Sequence, residues 1–400
     1  MSPDRLYTND PDRQPVAVSR DLPPVNPPVT PPITPMDPDA ALAEPSPRTD
    51  RVAPRFGSEA ASVIRIVNLN TWIGCLPRTL LTVVGIEPPG HKQRRIAALL
   101  HELRARSPDV ITLQECLPLP SFAHEIARAL DYDLLWRVGN SGLRFMGVGY
   151  PTGVGRGEGL AILAKKGLGL RQVGTKRLSG SGFVTNWCAF QIGPLRWALA
   201  ALVSVCERPC LIVTTHVSYS FPSKESFRIG WAELHDRAVV KHREPPKWLV
   251  RMAKDNDEVR DKELHRLARW LARLQHKHQA PVLVGADFNL DPATPQVTDF
   301  LASTGFVNAL PTFAPGMLTW DPAGNDNIAF DVAHRWPDGA DKPAFLQLMA
   351  WLDSIPQCPD HVLVSRGLTL ADAGRAFDQQ HEGVLASDHY GIWADVIVPS

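Results

Sequence analysis

The chain has 400 residues, 44% of them hydrophobic and 21% charged, which is enough apolar material for a large folded core. Lysine plus arginine and aspartate plus glutamate both number 42, and this neutral balance disfavours a protein that wraps nucleic acid over most of its surface. No apolar run has the roughly 18 residues of a membrane-spanning helix, and the N-terminal residues do not follow the pattern of a secretory signal. We therefore expect a cytoplasmic protein. The six cysteines show no paired spacing, so we expect mostly buried free thiols.

Residues 1–60 differ in composition from the rest of the chain. Between Leu22 and Pro35 prolines recur in pairs, which favours an extended polyproline conformation and prevents a helix or a paired strand. We predict a disordered, proline-rich tail over residues 1–60 and a single folded domain over residues 61–400. The tail is either a spacer or a ligand for a domain that binds proline-rich peptides, and its partner is unknown.

Along the folded region, short apolar segments of β-type alternate with segments in which apolar residues recur at helical spacing. Such alternation predicts an α/β sandwich in which two sheets bring their loops together at one edge. The predicted strands cover residues 63–72, 109–115, 159–163, 183–192, 197–205, 210–216, 281–287, 360–365 and 390–398. The predicted helices cover residues 91–106, 121–130, 257–278 and 294–303.

Six of these strands carry Asn, Asp, Glu or His at one end. An Asp-x-Asn sequence after a strand is commonly only a turn, but the same four residue types at six strand ends are hard to explain as turns. Asp287 and Asn289 are two residues apart and therefore share one face. A carboxylate there can orient or deprotonate a water molecule, and an amide can bind a phosphate oxygen without adding negative charge. The candidate residues are Asn70, Glu115, His216, Asp287, Asn289, Asp360, Asp388 and His389.

In their order along the chain, the motifs around these residues resemble those of the endonuclease/exonuclease/phosphatase superfamily. The similarity covers residues 63–398, which is nearly the whole predicted folded region. It implies a four-layer α/β sandwich, with two packed mixed β-sheets flanked by helices, and a metal-dependent phosphoester hydrolase over residues 61–400. The matching motifs are Asn70-Thr-Trp, Leu113-Gln-Glu115, Gly159-Leu-Ala-Ile, Thr215-His216, Asp287-Phe-Asn289, Asp360-His-Val and Ser387-Asp-His389.

The resemblance also implies catalytic roles for five of the candidate residues. Asp287 would orient or deprotonate the attacking water. Asn289 and His216 would bind the phosphate oxygens. His389, oriented by Asp360, would stabilise and protonate the charge that builds up in the transition state.

Glu115, Asn70 and Asp388 are the Mg²⁺ ligands that the resemblance implies, with Mn²⁺ as the alternative ion. Carboxylate and amide oxygens suit such a hard cation, which would stabilise charge on the phosphoryl or leaving oxygen. Two positions depart from the family pattern. Ala286 stands where glycine usually precedes the aspartate, and His361 stands where tyrosine is commoner. Neither change removes a reacting group, so we expect activity to be retained.

The sequence leaves several phosphoester substrates open. The leading hypothesis is a phospholipid phosphodiesterase, because residues 65–72 and 319–329 are similar to segments of neutral sphingomyelinases. The apolar residues 73–86 fit either a peripheral membrane contact or a buried part of the core. The alternative is a nuclease acting on DNA or RNA, in which the basic and aromatic segment from Lys224 to Arg251 grips the strand. That segment fits a solvated helical excursion equally well. Inositol phosphates and nucleotides are further candidate substrates, and a catalytically idle binding module is the alternative from another class.

Overall fold

The computed structural model of the protein describes residues 62–72, 87, 89–140, 143–145, 148–150, 157–184, 189–219, 224–335 and 344–399. The chain divides into two units, Met1–Gly57 and Ser58–Ser400, and all described residues belong to the second. The predicted proline-rich tail and the apolar segment 73–86 lie outside the described residues.

Fourteen strands are formed by the described residues. Their buried positions are mainly Val, Ile, Leu and Ala, several of which pack well on a pleated surface. In chain order the strands are β1 (Ser62–Asn70), β2 (Val110–Cys116), β3 (Tyr132–Asn140), β4 (Leu143–Phe145), β5 (Val148–Tyr150), β6 (Glu158–Lys165), β7 (Arg171–Val184), β8 (Ala189–Val205), β9 (Arg208–His216), β10 (Val282–Asp287), β11 (Val307–Asn308), β12 (Asp360–Val364), β13 (Thr369–Ala376) and β14 (Gly391–Val398).

Eight helices are formed by the same part of the chain. The long ones carry an apolar stripe toward a sheet and polar residues toward solvent, as amphipathic helices do. The helices are α1 (Pro89–Arg106), α2 (Ser121–Leu130), α3 (Lys224–Asp236), α4 (Lys247–His278), α5 (Pro295–Thr304), α6 (Ala309–Phe313), α7 (Asp326–Arg335) and α8 (Ala344–Asp353).

Two predictions of secondary structure need correction, and several elements, β13 among them, were not predicted. The strand predicted over residues 183–192 in fact spans the end of β7 and the start of β8. The helix predicted from residue 257 begins at Lys247, because Leu249 packs with Phe227 of α3 and Leu348 of α8, a tertiary contact that helical periodicity alone does not show. β13 was not predicted, since only two of its side chains are buried.

The strands form two mixed sheets. The six-stranded sheet has the order β13-β14-β1-β2-β6-β3, and the eight-stranded sheet has the order β11-β12-β10-β9-β8-β4-β5 with β7 paired to β8. The pairs β1–β2 and β9–β10 are parallel, whereas their outer neighbours pair antiparallel. Each parallel pair therefore delivers two carboxyl ends to the same edge of its sheet.

The two sheets pack face to face around an apolar core. Aliphatic side chains of β1, β2, β6 and β14 meet those of β8, β9, β10 and β12 there. α1 and α2 cover the outer face of the six-stranded sheet, and α4 and α5 cover the outer face of the eight-stranded sheet. This arrangement confirms the predicted four-layer α/β sandwich.

Near the carboxyl ends of the parallel strands, the core between the sheets becomes polar. Gln114 Nε2 donates to Asn68 Oδ1 at 2.8 Å within its own sheet and to Thr214 Oγ1 at 2.8 Å in the other. Asn68 Nδ2 donates across the sheets to the Ala286 carbonyl at 3.2 Å. Because buried polar groups are costly to leave unpaired, these bonds fix how β1 and β2 approach β9 and β10.

The described cysteines are free, as predicted: Cys116, Cys210 and Cys358 are buried, and Cys206 is exposed. Among the helices that the structure describes, none combines the length and the apolar composition that crossing a bilayer requires.

Candidate active site

Three adjacent strands place one polar residue each in a single row. β9 runs parallel to β10 with His216 opposite Asp287, and β12 runs antiparallel to β10 with Asp360 opposite Asp287. Residues directly opposite each other on paired strands point to the same face. His216 and Asp360 therefore flank Asp287 on either side, although the three residues are far apart in sequence.

Asn70 reaches this row from the other sheet. Its Nδ2 donates to Asp287 Oδ2 at 2.8 Å, and its Oδ1 accepts the backbone N–H of Trp72 at 3.0 Å. The other oxygen of Asp287, Oδ1, accepts the backbone N–H of Asn289 at 2.8 Å. Both carboxylate oxygens thus have fixed donors, so the orientation of Asp287 is set from two sides.

Three non-glycine residues at these strand ends have a left-handed backbone: Trp72 with φ 59°, Glu115 with φ 53° and Asn289 with φ 51°. Each such residue costs about 1 kcal/mol, and strain of this kind concentrates at functional sites. At Glu115 the left-handed backbone conformation coincides with a bulge in the pairing of β2 with β6, between Leu113 and Cys116. The bulge interrupts the regular alternation and re-aims the Glu115 side chain.

His389 and Asp360 form a buried hydrogen-bonded pair, with 2.8 Å between His389 Nδ1 and Asp360 Oδ2. Burial lowers the pKa of His389, but the carboxylates of Asp360, Asp388 and Asp287 outweigh this effect and raise the pKa to about 10. Trp320 packs edge-on against the imidazole at 5.0 Å between ring centroids. His389 is therefore a positioned cation at neutral pH.

Asp287 is completely buried. Burial, followed by the charge of Asp360, raises its pKa to about 7, and His389 and the hydrogen bonds from Asn70 and Asn289 oppose that rise. A carboxylate with this pKa is matched to accepting a proton near neutral pH.

His216, by contrast, is neutral, because burial and then the positive charges of Arg196 and His389 hold its pKa well below the usual range. Its Nε2 lies 3.0 Å from Asn289 Nδ2, and the same amide nitrogen donates to the Val217 carbonyl at 3.0 Å. The Val217 bond fixes the orientation of the amide, so Nε2 of His216 accepts and the ring proton lies on Nδ1.

The polar side chains at these strand ends line a cleft of about 320 Å³. Asp360 does not line it but lies fully buried behind His389. The structure therefore brings all eight predicted residues together. The other seven, which line the cleft, are Asn70, Glu115, His216, Asp287, Asn289, Asp388 and His389.

Other lining residues were missed by reasoning from the sequence. Glu158 and Arg196 both line the cleft, and Asn140 Nδ2 donates to Glu158 Oε2 at 2.6 Å. Glu158 directly precedes the matched motif at Gly159, and this proximity was the available signal. Nothing in the local sequence distinguishes Arg196 from an ordinary surface arginine.

The loop that carries Asp388 is held by two asparagines that were also missed. Asn325 Nδ2 donates to the carbonyls of Ser387 at 3.1 Å and Asp388 at 2.9 Å. Asn327 Nδ2 donates to two carbonyls of the same loop, at 2.9 and 3.1 Å. Both asparagines belong to the segment 319–329, so this segment acts structurally by fixing the catalytic loop.

The structure accounts for both departures from the family pattern. A Cβ on Gly285 would lie 1.9 Å from Thr112 Oγ1, so the glycine is required one position before Ala286. His361 replaces tyrosine as a buried linker, accepting from Asn308 Nδ2 at 2.8 Å and donating from Nε2 to the Leu290 carbonyl at 2.9 Å. Burial lowers the pKa of His361 to about 4, which keeps it neutral in this role.

The charge of the cleft fits a divalent cation. Carboxylates outnumber basic side chains on its walls, and the pKa of Glu158 is raised by burial and by the charge of Glu115. Carboxylate and amide oxygens of this kind are what Mg²⁺ and Mn²⁺ bind. The predicted ligands Glu115, Asn70 and Asp388 all line this cleft.

A second set of potential ligand atoms, from Asp287, Asp360 and His389, lies within 4.8 Å of one another. In this set the Asp360 carboxylate and the His389 ring already bind each other. The predicted ligand set leaves that pair intact, and we retain it.

Residues 69–389 match the model of the Endonuclease/Exonuclease/phosphatase family. No curated protein matches the chain. Similar solved structures include truncated TDP2 from Caenorhabditis elegans, which is 14% identical, with 84% of this chain and 98% of that chain covered and a TM-score of 0.50.

Two Bacteroides thetaiotaomicron structures are similar to the same extent. Mannosyl-6-phosphatase Bt3783 is 14% identical, covering 83% of this chain and 99% of that chain, with a TM-score of 0.50. An endonuclease/exonuclease/phosphatase family protein is 13% identical, covering 86% and 100%, with a TM-score of 0.50. At these identities the structures support the fold alone. The family match extends over most of the chain and supports phosphoester hydrolysis as its reaction class, and the chain belongs to the endonuclease/exonuclease/phosphatase family.

Proposed function

We propose that the protein is a divalent-metal-dependent phosphodiester hydrolase in which Asp287 activates the attacking water. The observation that carries this proposal is the setting of Asp287. It is a buried carboxylate with a pKa of about 7, oriented by Asn70 and Asn289 and placed in one row with His216 and Asp360. Such a group combines fixed geometry with the proton affinity that a general base needs near neutral pH.

The neighbouring side chains provide complementary charge for a phosphoryl group. One N–H of the Asn289 amide, which now faces Nε2 of His216, would turn to a phosphoryl oxygen beside Asp287 when substrate binds. Neutral His216, with its ring proton moved to Nε2, would donate to the same oxygen, and neither group adds negative charge. The charged His389, held by Asp360, would donate a hydrogen bond to an oxygen that becomes more negative as water attacks.

The proposed metal ligands come from the six-stranded sheet, where Asn70 ends β1, Glu115 lies near the end of β2 and Asp388 precedes β14. Glu115, Asn70 and Asp388 would hold Mg²⁺ or Mn²⁺, which supplies Lewis-acid stabilisation of the phosphoryl and leaving oxygens when bound. Asn325 and Asn327 support this arrangement because they hold the loop of Asp388 through its carbonyls.

A phospholipid substrate remains a hypothesis that rests on sequence similarity. Its expected membrane contact, residues 73–86, lies outside the described residues, and the segment 319–329 has a structural role that serves any phosphoester. Release of phosphocholine from sphingomyelin vesicles tests this substrate directly. A catalytically idle binding module is disfavoured because every reacting group is present.

The proposed function is tested with small chromogenic esters that need no extended binding surface. We expect bis(p-nitrophenyl) phosphate to be hydrolysed in Mg²⁺ or Mn²⁺ and hydrolysis to stop in EDTA. Faster hydrolysis of p-nitrophenyl phosphate than of the diester would replace the diesterase proposal with a phosphomonoesterase. No hydrolysis of either ester with either metal would contradict the proposal.

A further inference from the structure

A second concave site lies between β7 and α4, with a volume of about 810 Å³. Among the described residues that line it, six carry cationic side chains and none carries a carboxylate. We call it the basic groove. Its cationic residues are Lys176 and Arg177 of β7 and Lys262, Arg266, Arg269 and Arg273 of α4.

Most of these cations lack a counter-charge. Lys262 lies 3.5 Å from Glu258, and among the six it alone has an ion pair within the described part of the chain. Arg177 and Arg266 donate to backbone carbonyls of β7, which orients the guanidinium groups without neutralising them. Since the chain as a whole carries no net charge, the positive potential of the groove is a local concentration.

The cations of α4 form a row. Lys262, Arg266, Arg269 and Arg273 follow one another at alternating intervals of four and three residues, which places them on one face of the helix. At 1.5 Å per residue the row is about 16 Å long. A row of this length matches several phosphates of an extended chain and exceeds what a single phosphate needs.

The basic groove adjoins the catalytic cleft. Ser179 lines the groove, and its partner across the β7–β8 pair is Arg196, which lines the cleft. Glu263, on α4, accepts hydrogen bonds from the Ser179 hydroxyl and from the backbone N–H of Ser218 at 2.7 Å. Ser218 lies two residues after His216. The two sites therefore meet at the β7–β8 pair, where Ser179 lines one and Arg196 lines the other.

We propose that the basic groove binds the sugar-phosphate backbone of a single-stranded nucleic acid and directs the strand toward the cleft; that the strand is then cleaved rests on the proposed function. A cationic groove that follows the backbone is how proteins bind single strands without sequence preference. No aromatic side chain of the described residues lines the groove, so the expected contacts are with phosphates and not with stacked bases.

A membrane surface is a poorer match for this site. The groove is concave, and its lining includes no large exposed apolar side chain that would enter a bilayer. The segment from Lys224 to Arg251, predicted from sequence as the nucleic-acid grip, forms α3 and the start of α4, and none of its described residues lines the groove.

The test compares two double variants on the same helix. Arg269→Gln with Arg273→Gln removes two of the six positive charges of the groove, and Lys247→Gln with Arg251→Gln removes two positive charges from exposed residues of α4 outside it. Binding of a fluorescein-labelled single strand, as DNA and as RNA, is measured by anisotropy in EDTA so that the strand stays intact. We expect about tenfold weaker binding by the groove variant and a salt slope lower by about 1.4, with no change for the matched variant.

The proposal would be overturned if the groove variant bound the strand as well as the unmodified protein, or if both double variants lost binding equally. It would also be overturned if the groove variant lost binding to phosphatidylserine vesicles but still bound the strand normally. Hydrolysis of bis(p-nitrophenyl) phosphate separates this inference from the proposed function. We expect the groove variant to hydrolyse that ester at the normal rate. If the unmodified protein binds the strand through the groove but hydrolyses no ester, the groove assignment stands and the proposed function fails.

Discussion

Asp287 and Asp360 lie directly opposite each other on the antiparallel strands β10 and β12, so two buried carboxylates share one site. His389 binds Asp360 at 2.8 Å and holds one of the two charges in place. Burial and then repulsion by Asp360 leave Asp287 with a pKa of about 7, whereas attraction by Asp360 and the other carboxylates outweighs burial and raises the pKa of His389 to about 10. The carboxylate of Asp360 thereby influences the protonation of both Asp287, the proposed base, and His389, the cation.

This pairing predicts the pH dependence of kcat/KM for bis(p-nitrophenyl) phosphate. Activity needs ionised Asp287 and protonated His389, so it should rise as the pH passes about 7 and fall as it passes about 10. In Asp360→Asn the lost negative charge lowers both pKa values, so both limbs move to lower pH, and kcat falls roughly 100-fold. Limbs that stay in place in the variant would show that Asp360 does not control these groups.

Metal binding at Glu115 has a readout that does not depend on turnover. Mg²⁺ bound only by the folded protein raises the unfolding temperature, and the shift grows with the logarithm of the Mg²⁺ concentration once that concentration exceeds Kd. We expect Glu115→Gln to raise the Mg²⁺ concentration needed for this stabilisation by roughly 10- to 100-fold, measured by thermal unfolding over a Mg²⁺ titration. An unchanged titration would remove Glu115 from the ligand set.

Gly285 is required by the polar network between the sheets. In Gly285→Ala the new Cβ would lie 1.9 Å from Thr112 Oγ1, so the network must shift, and we expect about 3 kcal/mol loss in the free energy of unfolding. Gly90→Ala is the matched control, since its Cβ meets no atom within 4 Å and the change should be neutral or slightly stabilising. Equal urea midpoints for the two variants would refute the steric argument.

His361 links the stability of the fold to pH. Its folded pKa of about 4 lies below the ordinary value of 6.5, so its contribution is fully present above pH 6.5 and is lost as the pH falls toward 4. At pH 4.5 this linkage removes about 2.5 kcal/mol, because one pKa unit corresponds to about 1.4 kcal/mol. We expect the loss of unfolding free energy between pH 7.5 and 4.5, measured in urea, to be smaller in His361→Gln by about this amount. Parallel losses in both proteins would assign the acid sensitivity to other groups.

The layers of the fold and the polar residues at the strand ends could be predicted from the sequence. Strand ends such as Asp287 and Asp360 are local features, and apolar periodicity locates them within a residue or two. Arg196, Asn325 and the basic groove were not predictable in this way. Their positions depend on which strands pair and on how α4 lies against β7, and these are tertiary relationships that no local pattern records.

The earlier start of α4 is explained by the same reasoning. Lys247 to Asn256 carry only a weak apolar stripe, and that stripe becomes meaningful once α3 and α8 are present to cover Leu249 and Ala253. The exposed position of Cys206 is likewise set by the β8–β9 connection and not by its residue type.

The most direct test of Asp287 as the activating base compares the unmodified protein with Asp287→Asn in the hydrolysis of bis(p-nitrophenyl) phosphate in Mg²⁺. Asp291→Asn is the matched control, because Asp291 lies on the same loop but binds the Cys358 backbone N–H and does not line the cleft. We predict a loss of roughly 10³-fold in kcat for Asp287→Asn, near-normal turnover for Asp291→Asn, and native circular dichroism for both. Full Mg²⁺-dependent hydrolysis by a folded Asp287→Asn protein would contradict the account.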